Sequence, residues 1–385
     1  MNTTHRIAMV AGEPSGDLLA ARLIAALRKK LPRARFFGIG GPKMVAEGFD
    51  AWWPAEKLAV VGYVEAVKRY WEISSIRRSL RARLLTNSEK PDLFIGVDAP
   101  DFNLDLEVKL RAQGIRTVHY VSPSIWAWRG KRVHKVAKAA DRVLALFPME
   151  PPLYEQAGVP VSYVGHPLAD EIPLETDPRE AREILRLPDQ HTPIFAFLPG
   201  SRQSELEYMG GIFVKTAKLI HATLPDSMFL VPFVTRQTKI AFEMEIHRQD
   251  AGYLPWRLLF GHAVAAQSAA DAVLVASGTA TLEAALVKRP MVIVYKLSRL
   301  AYYLMKWRAY LPYVGLPNIL AGWRVVPELL QSAATPEAIT DALLTELKPE
   351  RAEQLRRVFT RIHLTLRQDT AEKAAEAVLE VLRQA

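Results

Sequence analysis

Two doubly wound α/β domains of similar size are the fold the sequence predicts, and three observations predict it. Short apolar runs alternate with amphipathic stretches along the chain, which is the rhythm of βαβ winding around a parallel sheet. That rhythm pauses between Val159 and Thr192 and starts again at Ile194. The chain's 385 residues also exceed what one hydrophobic core ordinarily holds.

The first strand, Ile7 to Ala11, feeds a helix from Asp17 to Lys30, and further strands are expected at 35–39, 92–97, 116–121 and 142–146. They read as continuous hydrophobic runs, as strands must when helices cover both faces of a sheet. A stretch rich in Pro, Asp and Glu then runs to Thr192, so the boundary is placed at His166-Pro167, with domains at 1–166 and 167–366. The second half resumes with Ile194 to Leu198, followed by strands at 228–233, 272–275 and 291–295 and then helices. In open parallel sheets ligands bind beyond the carboxyl ends of the strands. The economical arrangement therefore has the two domains facing each other across a cleft lined by those turns.

Composition narrows the function. Half the residues are hydrophobic and 24% are charged, as in soluble globular proteins. The absence of cysteine excludes disulfides, thiolate metal sites and a cysteine nucleophile, and fits a reducing, cytoplasmic setting. Met1 to Gly12 holds too few apolar residues for a signal-peptide core, and Pro312 and Pro317 interrupt the uncharged stretch 309–322 before it reaches the length of a bilayer span. A formal charge of +9 and a pI near 9.6 call for an anionic partner. Cations at Lys68, Arg69, Arg77, Arg78, Arg81 and Arg83 follow the aromatic and apolar run from Trp52 to Trp71, and a second such mixture spans Tyr295 to Arg308. Rings that enter the acyl boundary beside cations that meet lipid phosphates suit an anionic membrane surface, while a core-facing helix with a solvated basic face would use the same residues. No nucleic-acid motif accompanies them, so nucleic acid is not expected as a partner.

Five turns at strand ends could carry chemistry. Gly12-Glu13-Pro14-Ser15-Gly16-Asp17 lacks both the dinucleotide fingerprint and the P-loop pattern. Ser15 or Asp17 can cap the next helix, but Glu13, at the carboxyl end of a strand, points to the cleft. Asp98-Ala99-Pro100-Asp101 sets two carboxylates about a proline. Asp101 reads as a helix N-cap, which leaves Asp98 as the candidate base for a hydroxyl proton. Ser122 to Arg129 carries Trp126 and Trp128, a wall suited to a sugar ring or acyl chain and equally to plain core packing. His119 and His166 read as half-buried structural imidazoles.

The other two turns suit a nucleotide. Leu198-Pro199-Gly200-Ser201-Arg202 offers backbone donors at Gly200 and Ser201 and a cationic fork at Arg202 for diphosphate oxygens. Leu274 to Leu286 runs from a strand through Ser277, Gly278 and Thr279 into a helix whose N-terminus favours an anion. Glu283 lies one turn in, free of a capping box and able to accept ribose hydroxyl protons. A tightly packed βα unit would also use small residues there, so the weight rests on both turns falling in one domain. No Asp-x-Asp occurs, so no metal is expected and the leaving diphosphate falls to Arg202 and helix N-termini.

Six blocks now carry a resemblance: Val10 to Asp17, Asp98 to Asn103, His119 to Trp128, Leu198 to Arg202, Ala276 to Glu283 and Leu316 to Gly322. In this order, over nearly the whole chain, they resemble the lipid-A-disaccharide synthase family. The resemblance implies a GT-B glycosyltransferase fold of two Rossmann-like domains, with a C-terminal helix near 367–385 packing back on the first domain. It also implies a cytoplasmic, peripheral place on the inner membrane. The implied reaction is inverting transfer of 2,3-diacylglucosamine from UDP-2,3-diacylglucosamine to the 6-hydroxyl of 2,3-diacylglucosamine 1-phosphate, without a cofactor. By the family pattern Arg202 takes the diphosphate and Glu283 the ribose, with Gly200, Ser201, Ser277, Gly278, Thr279 and Asn318 lining the pocket, while Asp98, directly or with Glu13, activates the acceptor. Pro14 stands where some members have threonine. A UDP-sugar epimerase on the same fold and a non-catalytic nucleotide-sensing adaptor are the alternatives, and both monomer and homodimer remain open.

Overall fold

The computed structural model describes residues 4–58, 63–127, 130–188, 192–276, 278–297 and 311–384, with only the backbone described for 63–70. The chain divides into two compact units, Met1–Asp170 with Leu366–Ala385, and Glu171–Thr365.

The first unit is built on a parallel sheet of seven strands: β1 (Arg6–Ala11), β2 (Arg35–Gly40), β3 (Asp50–Pro54), β4 (Leu93–Val97), β5 (Arg116–Tyr120), β6 (Arg142–Ala145) and β7 (Val161–Tyr163). Their order in space is β3-β2-β1-β4-β5-β6-β7, so the winding reverses between β1 and β4. These two strands end level, with Ala11 beside Val97. The interior strands are apolar throughout because helices lie on both faces: β1 buries every residue after Arg6, and β4 buries all five of its residues. On one face α1 (Pro14–Lys30) packs Leu23, Ile24 and Leu27 into the same cluster as Ala374, Val378 and Val381 of the helix Thr370–Arg383. That helix is held at its start by Asp170, whose carboxylate accepts from the amides of Gln368, Asp369 and Thr370 at 3.1, 3.0 and 2.8 Å. On the other face α3 (Tyr63–Leu84) and α4 (Pro100–Arg111) cover the sheet through Ile76, Leu80, Phe102, Leu106 and Leu110.

The second unit is built on a parallel sheet of six strands: β8 (Ile194–Leu198), β9 (Met228–Phe233), β10 (Trp256–Phe260), β11 (Ala272–Ala276), β12 (Met291–Tyr295) and β13 (Glu328–Leu330). Their order is β10-β9-β8-β11-β12-β13, so here the reversal lies between β8 and β11. The aromatic stack of Phe195, Phe197, Phe213, Phe229 and Trp256 fills one face, with neighbouring ring centroids 5.1 to 6.4 Å apart. Both sheets are thus doubly wound α/β layers.

Candidate functional site

Each sheet leaves a crevice where its winding reverses, because the helices that follow the two central strands leave in opposite directions. In the first unit the turns after β1 and β4 border that crevice, and they carry Glu13 and Asp98. In the second unit the turns after β8 and β11 border it, and they carry Gly200 to Arg202 and Gly278 to Glu283. The strand order that creates this coincidence comes from long-range pairing.

The β1 turn differs from its reading in one respect. α1 begins at Pro14, with Glu13 as an extended, exposed N-cap whose side chain makes no cap bond. Neither Ser15 nor Asp17 caps α1. Asp17 is buried and reaches across to the next short helix, α2 (Pro42–Ala46), where its oxygens accept from the amides of Gly41, Lys43 and Met44, each at 3.0 Å. This carboxylate is a helix-terminus anchor that fixes the turn around Glu13.

The β4 turn is strained. Asp98 and Ala99 have φ of 52° and 42°, two successive non-glycine residues in the left-handed region, and just past the end of the neighbouring strand Val121 has φ of 79°. For a β-branched residue that conformation is a true outlier, and such strain concentrates at functional sites. Asp98 is held there by its amide, which donates to the Tyr120 carbonyl at 2.8 Å, and by its carbonyl, which accepts from Asn103 Nδ2 at 2.8 Å. Burial lifts its carboxyl above the usual range, opposed by a bond from Ala99 and by the charge of His119. Asp101 is not the N-cap: Ala99 occupies that position, and Asp101 lies in the first turn of α4, exposed and paired with Arg132.

His119 is wholly buried, not half-buried, with Nδ1 2.8 Å from Glu107 Oε1. His166 is also buried, accepts from the Leu168 amide through Nδ1, and is pushed down to about 4, chiefly by burial. Trp126 donates to Glu150, a buried carboxyl that also accepts from the amides of Leu146 and Phe147 and is raised by burial to about 7. Trp128 and Arg129 lie outside the described residues. Arg77 pairs with Asp105 at 2.9 Å, and the Arg83 guanidinium stacks 3.6 Å over Trp52, so these two cations serve the first unit itself. Trp71 is 76% exposed. The segment 298–310, most of the second aromatic and basic mixture, lies outside the described residues.

In the second unit Gly200 has φ of 124°, and a Cβ there would stand 2.5 Å from Glu205 Oε2, so the close passage of that carboxylate requires glycine. Glu205 corrects the expectation of free donors: it accepts from the amides of Ser201 and Arg202 at 2.9 and 3.2 Å. The Arg202 side chain is 70% exposed, 3.5 Å from Glu205, and open to solvent along most of its length. Tyr295, at the end of β12, is raised by burial and lies within the field of both.

The β11 turn keeps its opening. Gly278 is the N-cap of the helix Thr279–Leu286 with φ of 133°, a conformation left to glycine, and among the described residues, its chain neighbours apart, nothing lies within 4 Å of where its Cβ would be. Gly278 and Thr279 are both exposed; Ser277 lies outside the described residues. Glu283 is half-buried and raised by burial, and it is not wholly free: Gln267 Nε2 donates to its Oε2 at 3.0 Å.

Asn318 has partners within its own loop. It is fully buried, its Oδ1 accepts from Val325 and Val326 at 2.7 and 2.9 Å, and its Nδ2 donates to the Val326 carbonyl and to Glu328 at 3.0 and 2.8 Å. With both ends of the amide satisfied, it clamps this loop. Glu328 completes that clamp by accepting from the amides of Val314 and Gly315. Among the described residues no three imidazoles or carboxylates converge to hold a cation.

Comparison with known proteins bears directly on this arrangement. Residues 7–381 match the family model described as lipid-A-disaccharide synthetase. A lipid-A-disaccharide synthase of Dechloromonas aromatica (strain RCB) is 64% identical over 384 residues, covering 99% of this chain and 100% of that protein. Among solved structures, a UDP-GlcNAc 2-epimerase from Neisseria meningitidis bound to UDP-GlcNAc superposes with a TM-score of 0.63 at 13% identity, over 99% of this chain and 100% of that one. An Anabaena protein in complex with UDP and glucose gives a TM-score of 0.58 at 13% identity, over the whole of both chains. At such low identity the structural likeness is one of fold.

Proposed function

The chain belongs to the lipid-A-disaccharide synthetase family and is a glycosyltransferase; on that premise we propose how its residues divide the work of making the β-1,6-linked lipid A disaccharide precursor. The second unit holds the UDP of UDP-2,3-diacylglucosamine at its reversal point. Arg202 meets the diphosphate, the N-terminus of the helix Thr279–Leu286 adds its amides and dipole, and Glu283 Oε1 accepts from the ribose. Charge that develops on the departing diphosphate is met by these fixed donors.

The first unit supplies Asp98. Its carboxylate takes the proton of the acceptor 6-hydroxyl as that oxygen bonds to the anomeric carbon and the bond from that carbon to the diphosphate breaks. Attack and departure on opposite faces convert the α-linked donor to a β-linked product in one displacement. Burial raises the basicity of Asp98 toward that task, and the left-handed Asp98-Ala99 pair holds it at the strand end. Glu13 borders the same crevice from β1.

The observation that carries this reading is the placement of the two acidic turns at one reversal point and the two anion-seeking turns at the other. A charge of +9 and an exposed Trp71 support residence at the anionic face of the inner membrane, and no helix among the described residues is long and apolar enough to cross it. The epimerase alternative stands on fold likeness alone, which does not carry activity. The deciding experiment measures UDP release from UDP-2,3-diacylglucosamine with and without 2,3-diacylglucosamine 1-phosphate. Release that depends on the acceptor and yields disaccharide is the expected result, and release indifferent to the acceptor would overturn it.

A further inference from the structure

Asp101 has no part in the reaction as assigned, and it is not the cap of α4. It stands in the first turn of that helix, just beyond Asp98, with its side chain 82% exposed. Its carboxylate nevertheless holds a guanidinium: Arg132 Nη2 donates to Asp101 Oδ1, and the Arg132 side chain is only 16% exposed. Arg132 comes from the short helical turn Gly130–Arg132, which follows β5 and leads into the helix Val133–Ala139. β5 lies in register beside β4, Val97 against Tyr120, and the Asp98 amide donates to the Tyr120 carbonyl, so the turns after the two strands are neighbours. The fork of Arg132 is thereby brought to the turn that carries Asp98.

The pair leaves most of the guanidinium unused. Of its five N–H donors, one has a partner among the described residues, and none of the others is a buried orphan, so they reach solvent. Positive charge is in surplus at this corner. Arg77 and Lys135 share the Asp105 carboxylate at 2.9 and 2.6 Å, and Arg77 also donates to the Asp101 carbonyl at 3.2 Å, which pins the start of α4. Lys131, beside Arg132, is exposed and has no ion-pair partner among the described residues. Arg77, Lys131, Arg132 and Lys135 thus outnumber Asp101 and Asp105, and an anion that docks here meets a net positive field. An ion pair with so exposed a partner contributes little stability, so stability alone does not account for an arginine buried along its stem and open at its fork.

We propose that Arg132, with Lys131 beside it, receives the 1-phosphate of the acceptor, a phosphomonoester carried on the same sugar whose 6-hydroxyl Asp98 deprotonates. The inference rests on the reaction and the base assigned above. The 1-substituent and the 6-hydroxyl flank the ring oxygen of a pyranose, which sets the phosphate on the order of one helical turn, about 5 Å, from the hydroxyl. Asp101 stands about one turn along from Asp98, and Arg132 is held on Asp101. A planar fork grips two oxygens of a phosphate as it does those of a carboxylate, and Asp101 keeps that fork ordered before the phosphate arrives. The phosphate takes the donors that Asp101 leaves unused, and no covalent bond is made or broken. Anchoring it there turns the 6-hydroxyl toward Asp98, so the contact selects the acceptor as well as binding it. A lipid headgroup presents similar oxygens, and the test separates the two.

The test compares two acceptors in neutral detergent micelles: 2,3-diacylglucosamine 1-phosphate and the same lipid without its phosphate. In the unmodified protein, removing the phosphate is expected to lower kcat/KM for the acceptor roughly tenfold or more, the effect of losing a charged hydrogen-bond partner. Arg132→Ala should lower it by a similar factor with the phosphorylated acceptor and hardly at all with the other, the mark of two groups that act on each other. UDP affinity should not move. Arg132→Lys, which keeps the charge and loses the fork, should fall between, and it carries the comparison if the alanine variant does not fold. An Arg132→Ala protein that prefers the phosphorylated acceptor as strongly as the unmodified protein does overturns the proposal. A loss confined to binding of phosphatidylglycerol vesicles overturns it too, and gives the cation to the membrane surface. No disaccharide from either acceptor in the unmodified protein would instead bring down the assigned reaction, and the phosphate contact with it, so the two failures are distinguishable.

Discussion

The Glu205 carboxylate accepts from the Ser201 amide at 2.9 Å and from the Arg202 amide at 3.2 Å, so the chain's own side chain occupies donors of the proposed diphosphate site. A ligand must therefore displace a charge-assisted hydrogen bond before it gains one. Glu205→Gln substitutes a weaker, neutral acceptor and is expected to tighten UDP binding roughly fivefold, the equivalent of about 1 kcal/mol. Titration calorimetry with UDP reads this directly. Unchanged or weaker binding would show that the carboxylate shapes the turn without competing for it.

Arg202 should behave in the opposite sense. Because its guanidinium is largely exposed, Arg202→Ala should leave the melting temperature nearly unchanged. UDP affinity and turnover should fall together by roughly tenfold or more, as when a charged hydrogen bond to a ligand is lost. Unaltered kinetics would remove Arg202 from the site.

Asp98→Asn removes the proposed base with little change in the volume of the side chain. Turnover is expected to fall by roughly 10²-fold or more while UDP affinity, set in the second unit, stays the same. In the unmodified protein the base is active only when ionised, so activity should be lost as pH falls through a value above the ordinary aspartate 3.8. Steady-state kinetics across acid pH, paired with UDP calorimetry, separates the two effects.

Glu150 and His166 predict opposing pH dependences of stability. Glu150 is raised from 4.5 to about 7, so its contribution is fully present below 4.5 and is lost as pH rises through 7. His166 is lowered from 6.5 to about 4, so its contribution is present above 6.5 and is lost as pH falls through 4. Each is on the order of 3 kcal/mol, and the two largely cancel between pH 4.5 and 6.5. Glu150→Gln should unmask the histidine, giving stability that rises with pH across this interval. Urea midpoints measured from pH 4.5 to 7 check the slope; a flat profile in that variant would contradict it.

The strands legible in the sequence are those in the middle of each sheet. β1, β4, β8 and β11 are apolar from end to end because helices press on both faces, and an unbroken hydrophobic run needs no partner to be recognised. The strands that escaped notice, β3, β7, β10 and β13, are the two edges of each sheet. They are short and only partly covered, as in the mixed exposure of Trp256 to Phe260, so no run or alternation marks them. The site divides in the same way. Asp98 and Glu13 could be found as acids at strand ends, whereas Glu107 could not, since a charged residue within a helix reads as a solvent-facing one until the packing of α4 is known. Gln267 and Glu205 escaped for a related reason: each acts on a residue that sequence spacing alone had left free. The loop bonds of Asn318 were not legible either, because a family motif records that a residue matters and not what it touches.

The carboxylate that accepts three amide protons at the start of the helix Thr370–Arg383 offers a stability test. Asp170→Asn keeps one acceptor oxygen but loses the charge that favours a helix N-terminus, and should cost about 1 kcal/mol, read as a lower melting temperature.

That helix also orders events during synthesis. Its apolar side chains complete the layer over α1, yet they follow the whole second unit in the chain, so a ribosome delivers them after residues 171–365. The second unit can close as soon as it emerges, while Leu19, Leu23 and Leu27 wait with their apolar surface uncovered. Nascent chains arrested before residue 366 should accordingly present a finished second unit and a first unit that chaperones still recognise.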